Sequence, residues 1–257
     1  SGKVAIVTGS AQGIGQAIAR AYADRGARVI VSDVMEDAGR ATASELGSEA
    51  AFVPCDVTKP DQVRALVDAA VEKFGRLDIM VNNAGFNTGL SERVSVDQYP
   101  DETWHKIIDI DLNGVFYCSK AAAGQMILQQ SGSIINMASV GGVVALRMQI
   151  AFVAAKAAVI KMTEAMACEL GANGIRCNCL SPGSTPTGKG LELFRQGDSA
   201  YTKFLERITS FIPLGRTAEV DEIADAAVFL GSDASAYVNG HNLVVDGGWT
   251  CGFNRDF

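Results

Sequence analysis

Three residues of complementary chemistry fall in one short stretch of the sequence, between Ser139 and Lys156. Ser139 ends a run that is typical of a β-strand, so its hydroxyl would stand at the carboxyl end of that strand. Phe152 and Lys156 are four residues apart in an alanine-rich segment that predicts a helix, where they would share one face. A hydroxyl, a ring and an ammonium group would therefore converge. Proton transfer at neutral pH would require the ring to be a phenol, but residue 152 is phenylalanine.

A second candidate site opens the chain. Residues 3–8 form an apolar run that predicts a strand buried on both faces, and a helix is predicted to end near Arg25. Between them the turn contains Gly9, Gln12, Gly13, Ile14 and Gly15. Glycines let a backbone approach its ligand closely, and a helix N-terminus offers free N–H groups and a partial positive charge. A glycine trio alone is a weak signal, but this strand–turn–helix order predicts a phosphate site.

Asp33 ends the next predicted strand, residues 28–33. It lies about 20 residues beyond the glycine turn, where a carboxylate accepts hydrogen bonds from an adenosine ribose and repels a 2′-phosphate. That position favours NAD over NADP, and no Arg or Lys directly follows Asp33. The alternative is an ordinary loop aspartate.

The elements that must position these residues alternate along the chain. Further strands are predicted at 51–57, 77–83, 133–138, 175–180 and 242–246, and helices at 60–74, 103–129, 151–171 and 219–230. This alternation predicts an α/β fold, with a parallel sheet covered by helices on both faces. Ligands of such sheets bind beyond the carboxyl ends of the strands. No repeat, linker or low-complexity segment indicates a second domain, so residues 1–257 are predicted to form one.

Composition and charge narrow the class of protein. The chain is 48% hydrophobic and rich in glycine, which is typical of a well-packed enzyme. Its net charge of −7, with no basic run, argues against a nucleic-acid partner. No apolar run approaches the ~20 residues of a membrane span, and we expect neither membrane binding nor a signal peptide.

The cysteines and histidines give no metal-site pattern. Cys177 and Cys179 would share one strand face and could not comfortably bridge. We therefore expect the six cysteines to be reduced, mostly buried thiols of a cytoplasmic protein. The two histidines, His105 and His241, are expected to have structural roles, and no metal is expected.

Together these motifs resemble those of the short-chain dehydrogenase/reductases, over essentially the whole chain. The matching positions, in that family's order and spacing, are Thr8-Gly9-x3-Gly13-x-Gly15, Asn82-Asn83-Ala84-Gly85, Ser139-x12-Phe152-x3-Lys156 and Pro182-Gly183. The resemblance implies a Rossmann-type, doubly wound sheet of seven parallel strands in a single domain. It also implies a nicotinamide cofactor and a homotetramer, with a cofactor half at 1–136 and a catalytic and substrate half at 137–257.

The resemblance assigns a role to each matching residue. Ser139 would polarise the substrate oxygen, and Lys156 would bind the nicotinamide ribose. The catalytic positions are Asp111, Ser139, Phe152 and Lys156. The cofactor positions for the pyrophosphate side are Gly9, Gln12, Gly13, Ile14 and Gly15. Asp33 would bind the adenosine ribose, Asp56 and Val57 would contact the adenine, and Asn83 and Gly85 would form the floor of the cofactor site. The positions on the nicotinamide side are Lys156, Pro182, Thr185 and Thr187.

Two positions depart from the family pattern. Asp111 stands where the catalytic tetrad has asparagine, with Asn113 close by, and a carboxylate can still accept hydrogen bonds in a water relay. Phe152 stands where the family has its catalytic tyrosine. A phenol has a pKa near ~10, which a nearby ammonium and oxidised nicotinamide would lower, and phenylalanine deletes this proton carrier.

We therefore expect a disabled enzyme. Either tyrosine was replaced deliberately to trap substrate, or this is a natural protein without catalysis. The intact surroundings of Phe152 favour the first explanation, as does the Ser1-Gly2 start, which is typical of a cloning remnant.

Arg147 and Gln149 precede residue 152 where the family lines its substrate pocket. Arg147 is either a carboxylate anchor or a solvated loop arginine. A mobile lid is expected at about 184–207, with Thr185, Thr187 and Lys189 adding polar contacts, and the tail at 247–257 is expected to reach a neighbouring subunit's site through Arg255.

The resemblance to sugar and sugar-acid members of the family predicts an NAD-dependent dehydrogenase of a small hydroxylated acid, such as a 2-keto-3-deoxy sugar acid. The alternatives are a neutral polyol or another ketone, an apolar or acyl-carrier substrate, and a non-catalytic NAD-binding regulator.

Overall fold

The computed structural model describes residues 2–188, 192 and 199–252. Within these residues one sheet contains seven strands, β1 Val4–Thr8, β2 Arg28–Asp33, β3 Ala50–Pro54, β4 Ile79–Asn82, β5 Gly132–Met137, β6 Ile175–Pro182 and β7 Asn242–Val245. Their spatial order is β3-β2-β1-β4-β5-β6-β7, and each neighbouring pair is parallel. The predicted doubly wound α/β sheet is confirmed, because the chain winds outward in both directions from β1.

Helices cover both faces of the sheet. They are α1 Gly13–Asp24, α2 Glu36–Glu45, α3 Pro60–Phe74, α4 Asp101–Ile108, α5 Val115–Gln129, α6 Val140–Val143, α7 Ile150–Leu170, α8 Ser199–Thr209 and α9 Val220–Gly231. Alternate residues of β1 enter two different cores: Val7 packs with α1 and α9, whereas Ile6 packs with α3 and α5. The strands are therefore buried on both faces, as their apolar runs predicted.

The predicted helix 103–129 is the main correction to the fold. It begins earlier, and a π-helical turn, Asp109–Gly114, separates α4 from α5. A Cβ on Gly114 would lie 2.7 Å from Cγ2 of Val57, so this turn packs directly on the loop after β3. The wider turn places Asp111 inside the protein, where its residue is fully buried. A π-turn inside a helix frequently marks a functional site, and hydrophobic periodicity does not reveal it.

Four further elements differ from the sequence prediction, two helices and two strands. Helix α2 was not predicted because it is polar and contains Gly39, a poor helix former. The glycine is needed there, since a Cβ would overlap the ring of Phe52. Helix α8 lies in a stretch for which no helix was predicted. The strand predicted at 51–57 ends at Pro54, and the one predicted at 175–180 continues to Pro182.

Some predicted features lie outside the described residues. These are Lys189 and part of the proposed lid, and Arg255 with the end of the proposed tail. None of the helices in the described part of the chain has the length and continuous apolar character that crossing a membrane requires.

Candidate active site

Helix α6 brings the predicted catalytic residues together. Ser139 follows β5 in an extended conformation, and its Oγ accepts a hydrogen bond of 3.0 Å from the N–H of Gly141. A Cβ on Gly142 would lie 2.7 Å from the carbonyl oxygen of Lys156, and one on Gly141 would lie 3.2 Å from Cε1 of Phe152. The two glycines thus let α6 rest on the backbone of α7. The convergence predicted for Ser139, Phe152 and Lys156 is what the structure shows.

Lys156 is buried beneath this site, with its side chain 5% exposed. Its Nζ donates to the carbonyl oxygen of Met137 at 3.0 Å and lies 3.1 Å from Oδ2 of Asp111. The same ammonium lies 5.7 Å from the centroid of the Phe152 ring, within the range of a cation–π interaction. The ring at position 152 therefore faces the cation that would tune a phenol there.

Asp111 pairs directly with Lys156. Its Oδ1 accepts a hydrogen bond of 2.7 Å from the N–H of Phe86, at the start of the loop after β4. Its other oxygen faces Lys156, so the carboxylate and the ammonium form a buried ion pair. The structure adds a charge partner for Lys156 at this position, and the part of Asp111 in a water relay stays a prediction. Such a pair is stable only while both partners are present.

The glycine turn has the shape of a phosphate cradle. Helix α1 begins after Gln12, no side chain caps it, and its first turn contains no acid. Its first N–H groups are thus available to an anion. Gly9 and Gly13 both have φ of +62°, which glycine adopts readily. A Cβ added to Gly9 would lie 2.7 Å from Cα of Ala84, and one added to Gly13 would lie 3.3 Å from Cβ of Thr187. These features fit a nicotinamide dinucleotide.

Asn83 ties this cradle to the turn after β4. Its Nδ2 donates to the carbonyl oxygens of Thr8 and Gly9, both at 2.9 Å, and its N–H donates to Oγ1 of Thr8 at 3.0 Å. A Cβ on Gly15 would overlap both the Gly9 carbonyl and the Asn83 amide. Ile14 packs against the core beneath the turn. The cradle is therefore held from below by side-chain and backbone hydrogen bonds.

The predicted adenosine contacts lie at the ends of the neighbouring strands. The Asp33 carboxylate is fixed by two N–H donors, those of Ala11 and Met35, both at 3.0 Å. Asp56 accepts hydrogen bonds from the N–H and hydroxyl of Thr58, at 2.9 and 2.7 Å. Val57 is buried beside it. Both carboxylates thus stand at the carboxyl edge of the sheet, as the strand pattern predicted.

The remaining cofactor positions lie near the centre of the sheet edge. Pro182 ends β6, and the hydroxyl of Thr185 donates to the carbonyl of Gly183 at 3.3 Å. Thr187 lies next to Gly13. A Cβ on Gly85 would lie 3.4 Å from Oδ2 of Asp111. The segment after β6 therefore returns over the glycine turn, and Gly85 lies beside the Asp111 carboxylate.

The two predicted substrate residues have different surroundings. Gln149 is buried, and its Oε1 accepts a hydrogen bond of 2.9 Å from Nδ2 of Asn87. Arg147 is exposed and has no hydrogen bond or ion pair with any described residue. The intervening Met148 has φ of +62°. Their roles toward a substrate stay predictions. Asn87 was missed by sequence reasoning, and its place right after the Asn-Asn-Ala-Gly motif was the available signal.

A polar chain below the site was also missed. Asn82 donates to Ser119 at 2.9 Å and to Asn136 at 2.7 Å, and Asn136 donates to Thr163 at 2.8 Å. Asparagine within apolar strands was the signal for this chain. It joins β4, α5, β5 and α7, and of these elements β5 leads into Ser139 and α7 contains Phe152 and Lys156.

Cys179 lies near Thr163 and Lys156, and its Sγ donates to Oγ1 of Thr163 at 3.1 Å. Burial raises the pKa of Cys179 to about 11, although the Lys156 charge acts in the opposite direction. All six cysteines are free, and four of them are buried. The buried Cys179 is therefore a neutral thiol at neutral pH.

Comparisons with known proteins agree with this geometry. A family model described as enoyl-(acyl carrier protein) reductase matches residues 9–250. The chain is 41% identical to trans-4-hydroxycyclohexanecarboxylate dehydrogenase of Sinomonas cyclohexanicum, with 98% of this chain and 94% of that protein covered. It is 39% identical to D-threitol dehydrogenase of Mycolicibacterium smegmatis, with 97% and 93% covered.

A solved structure gives the same result. The chain is similar to a gluconate 5-dehydrogenase from Burkholderia cenocepacia, solved in complex with NADP and tartrate, with a TM-score of 0.88 and 35% identity. The similarity covers 98% of this chain and 96% of that one. The matched regions contain the glycine cradle and the assembled serine–lysine site. This chain belongs to the short-chain dehydrogenase/reductase family.

Proposed function

We propose that this protein is an NAD-dependent dehydrogenase acting on a secondary alcohol, or its ketone, of a small hydroxylated acid such as a 2-keto-3-deoxy sugar acid. We further propose that Phe152 disables the form described by this sequence. One observation carries the proposal: Ser139 and Lys156 are held in place by α6 and β5, the glycine turn has the shape of a phosphate cradle, and position 152 lacks the phenol.

Each residue has a defined task in this mechanism. Bound NAD supplies the acceptor for the hydride. The hydroxyl of Ser139 hydrogen-bonds the substrate oxygen, and the ammonium of Lys156 binds the nicotinamide ribose and stabilises negative charge on a group at 152. Phenylalanine has no proton to give or accept, so substrate and cofactor bind while proton transfer stalls.

The choice of NAD rests on Asp33. Its carboxylate is fixed beside the cradle, and the next four residues, Val34 to Asp37, include no cation. A 2′-phosphate placed there would meet negative charge without a counter-ion. The gluconate 5-dehydrogenase structure contains NADP, so NAD preference needs a direct test.

Replacing Asp33 by alanine should weaken NAD binding by roughly 10- to 100-fold, because hydrogen bonds to a charged group are lost. NADP binding should change little or improve, since the repulsion disappears. Isothermal titration calorimetry of both cofactors against the unmodified and variant proteins measures this. The control is Asp37→Asn, an exposed acid in the first turn of α2. Tighter binding of NADP than of NAD to the unmodified protein would contradict the proposal.

The substrate class is supported by the relatives. The names of two of them contain an acid, gluconate or a hydroxycyclohexanecarboxylate, and Arg147 offers a cation near the site. The alternative of a neutral polyol is favoured by the similarity to D-threitol dehydrogenase. The alternative of a non-catalytic NAD-binding regulator is favoured by Phe152 itself.

A substrate panel separates these functions. Phe152→Tyr protein with NAD is tested for NADH formation on D-gluconate and trans-4-hydroxycyclohexanecarboxylate, and on the neutral D-glucitol and D-threitol. We expect turnover confined to the acids. Turnover on the neutral compounds alone would mean that the substrate is a neutral polyol and not an acid. Intact NAD binding with no turnover on any of them would favour the regulator. A tyrosine codon at position 152 of the encoding gene would show that the replacement was engineered.

We also propose that the protein acts in the cytoplasm as a homotetramer whose tail contacts a neighbouring subunit. Exposed apolar side chains in the single chain support self-association: Leu128 in α5 is 81% exposed, and Phe116 and Phe229 are also exposed. Light scattering on the purified protein measures the assembly, and a mass of one chain would exclude it.

A further inference from the structure

The loop that leaves β4, residues 83–100, contains buried polar atoms that have no hydrogen-bond partner among the described residues. They are Oγ1 of Thr88, Nε of Arg93 and the hydroxyl of Tyr99. Thr88 is only 7% exposed. Nearly all buried polar groups in proteins are hydrogen-bonded, and burial without a partner is unfavourable. Three such atoms on one loop point to a polar ligand that supplies the missing bonds.

Arg93 stands out among the three because it is charged. Burial lowers the pKa of Arg93, but a guanidinium stays protonated at neutral pH. No carboxylate of the described residues pairs with it, and its side chain instead lies over the ring of Phe204, 5.5 Å from the ring centroid. Arg147, in contrast, is exposed to solvent, where its charge needs no partner. A half-buried, unpaired guanidinium is suited to an incoming anion.

The position of Arg93 places it on the substrate side. In the sheet β5 lies between β4 and β6, and Ser139 follows β5. The loop with Arg93 leaves β4, whereas α8 with Phe204 comes after β6. The contact between Arg93 and Phe204 therefore joins the two segments that flank Ser139.

The beginning of the same loop is fixed to the catalytic centre. Phe86 donates to Asp111, and Asn87 donates to Gln149 at the start of α7. A molecule bound at Ser139 is thus bounded on one side by this loop. The atoms without partners lie farther along this same loop, at residues 88, 93 and 99.

We propose that Arg93, and not Arg147, binds the carboxylate of the substrate, and that the hydroxyl of Thr88 hydrogen-bonds a polar atom of the same molecule. The planar guanidinium can hold a carboxylate through two parallel hydrogen bonds while it stacks on Phe204. The inference rests on the proposed function, since it identifies where an acid substrate is recognised.

The test uses the protein as it is, because Phe152 lets bound ligand persist. The NAD-loaded protein is titrated calorimetrically with D-gluconate, tartrate and cyclohexanecarboxylate, and with neutral D-glucitol. The variants are Arg93→Gln, Arg93→Lys and the rival Arg147→Gln. Arg207→Gln is the charge-matched control, on the exposed surface of α8. Melting temperature and NAD affinity verify that each variant is folded.

We expect Arg93→Gln to weaken binding of the best-bound carboxylate by roughly 10- to 100-fold and to leave D-glucitol binding unchanged. The carboxylate affinity of Arg93→Lys should lie between those of the unmodified protein and Arg93→Gln, because lysine keeps the charge and loses the planar fork. Arg207→Gln should have no effect.

Three results would overturn the inference. Weaker carboxylate binding in Arg147→Gln but not in Arg93→Gln would show that Arg147 binds the carboxylate. The proposal of an acid substrate would then still hold. An equal loss of D-glucitol binding in Arg93→Gln would mean that the loop is distorted, not that a carboxylate is recognised. If the unmodified NAD-loaded protein bound none of the three carboxylates, the proposal that the substrate is an acid would itself be contradicted.

Discussion

Phe152→Tyr protein should form NADH on its substrate about 10²- to 10⁴-fold faster than the phenylalanine form, the usual contribution of a positioned acid or base. The ring already faces the ammonium of Lys156, 5.7 Å from its centroid, and Ser139 is held in place by α6. The substitution adds the missing proton carrier to this arrangement. Initial rates at 340 nm (the usual absorbance) on the responding panel compound measure the gain. Equal rates for the two proteins would mean that residue 152 is not the missing catalytic group.

Asp111 should set the pH at which the restored enzyme works. Lys156 favours the ionised phenol, and the Asp111 carboxylate 3.1 Å from that lysine offsets part of its charge. In the Phe152→Tyr background, Asp111→Asn should therefore lower the pKa of the introduced phenol. Because alcohol oxidation needs the phenolate, the rising limb of the pH–rate profile should move about one unit toward lower pH.

Two other titratable groups lie near residue 152 and Lys156. Cys179 and Tyr99 have pKa values raised by burial, so both are neutral over the range measured. A profile that does not move in the Asp111→Asn variant would show that this carboxylate does not act on the phenol. A fall in rate at every pH, with no shift, would indicate a structural role alone.

The second large effect concerns stability. Asp111→Ala should lower the free energy of unfolding by about 3–5 kcal/mol, as breaking one side of a buried ion pair does. The change leaves the ammonium of Lys156 buried without a counter-ion and removes the acceptor of the Phe86 N–H. Equilibrium urea denaturation, followed by far-UV circular dichroism, measures the loss.

Two matched variants identify the cause of that loss. Asp111→Asn keeps an acceptor for the Phe86 N–H and should cost less than alanine. The double variant Asp111→Leu/Lys156→Met removes both charges and should recover much of the stability, since an apolar pair often replaces a buried ion pair without loss. A loss under about 1 kcal/mol for Asp111→Ala would mean that the pair behaves like an exposed one.

The sequence predicted those parts of the site that backbone geometry dictates. Gly9, Gly13 and Gly15 indicated the cradle because only glycine tolerates the positive φ or the close contacts found there. Ser139, Phe152 and Lys156 were predicted to converge because strand ends and helix faces follow from periodicity. The parallel, doubly wound sheet was also predicted, because alternating strands and helices leave few topologies.

What escaped prediction depends on contacts between distant segments. The pairing of Asp111 with Lys156 requires the π-turn, which no periodicity marks. Helix α2 was hidden by Gly39, whose purpose is visible only once Phe52 packs against it. Arg93 belongs to no motif, and only the folded structure reveals that its buried Nε has no hydrogen-bond partner among the described residues.

The seat of α6 on α7 has an evolutionary consequence. Because a glycine at 142 lets the two backbones touch, the serine and lysine are joined into a single block that tolerates little change. The loop of residues 83–100 and α8 meet instead through Arg93, which lies over the ring of Phe204, a contact that single mutations can exchange. A lineage built on this plan can acquire new specificities while its reaction stays the same. The breadth of substrates in the names of its relatives is what such a division of labour would produce.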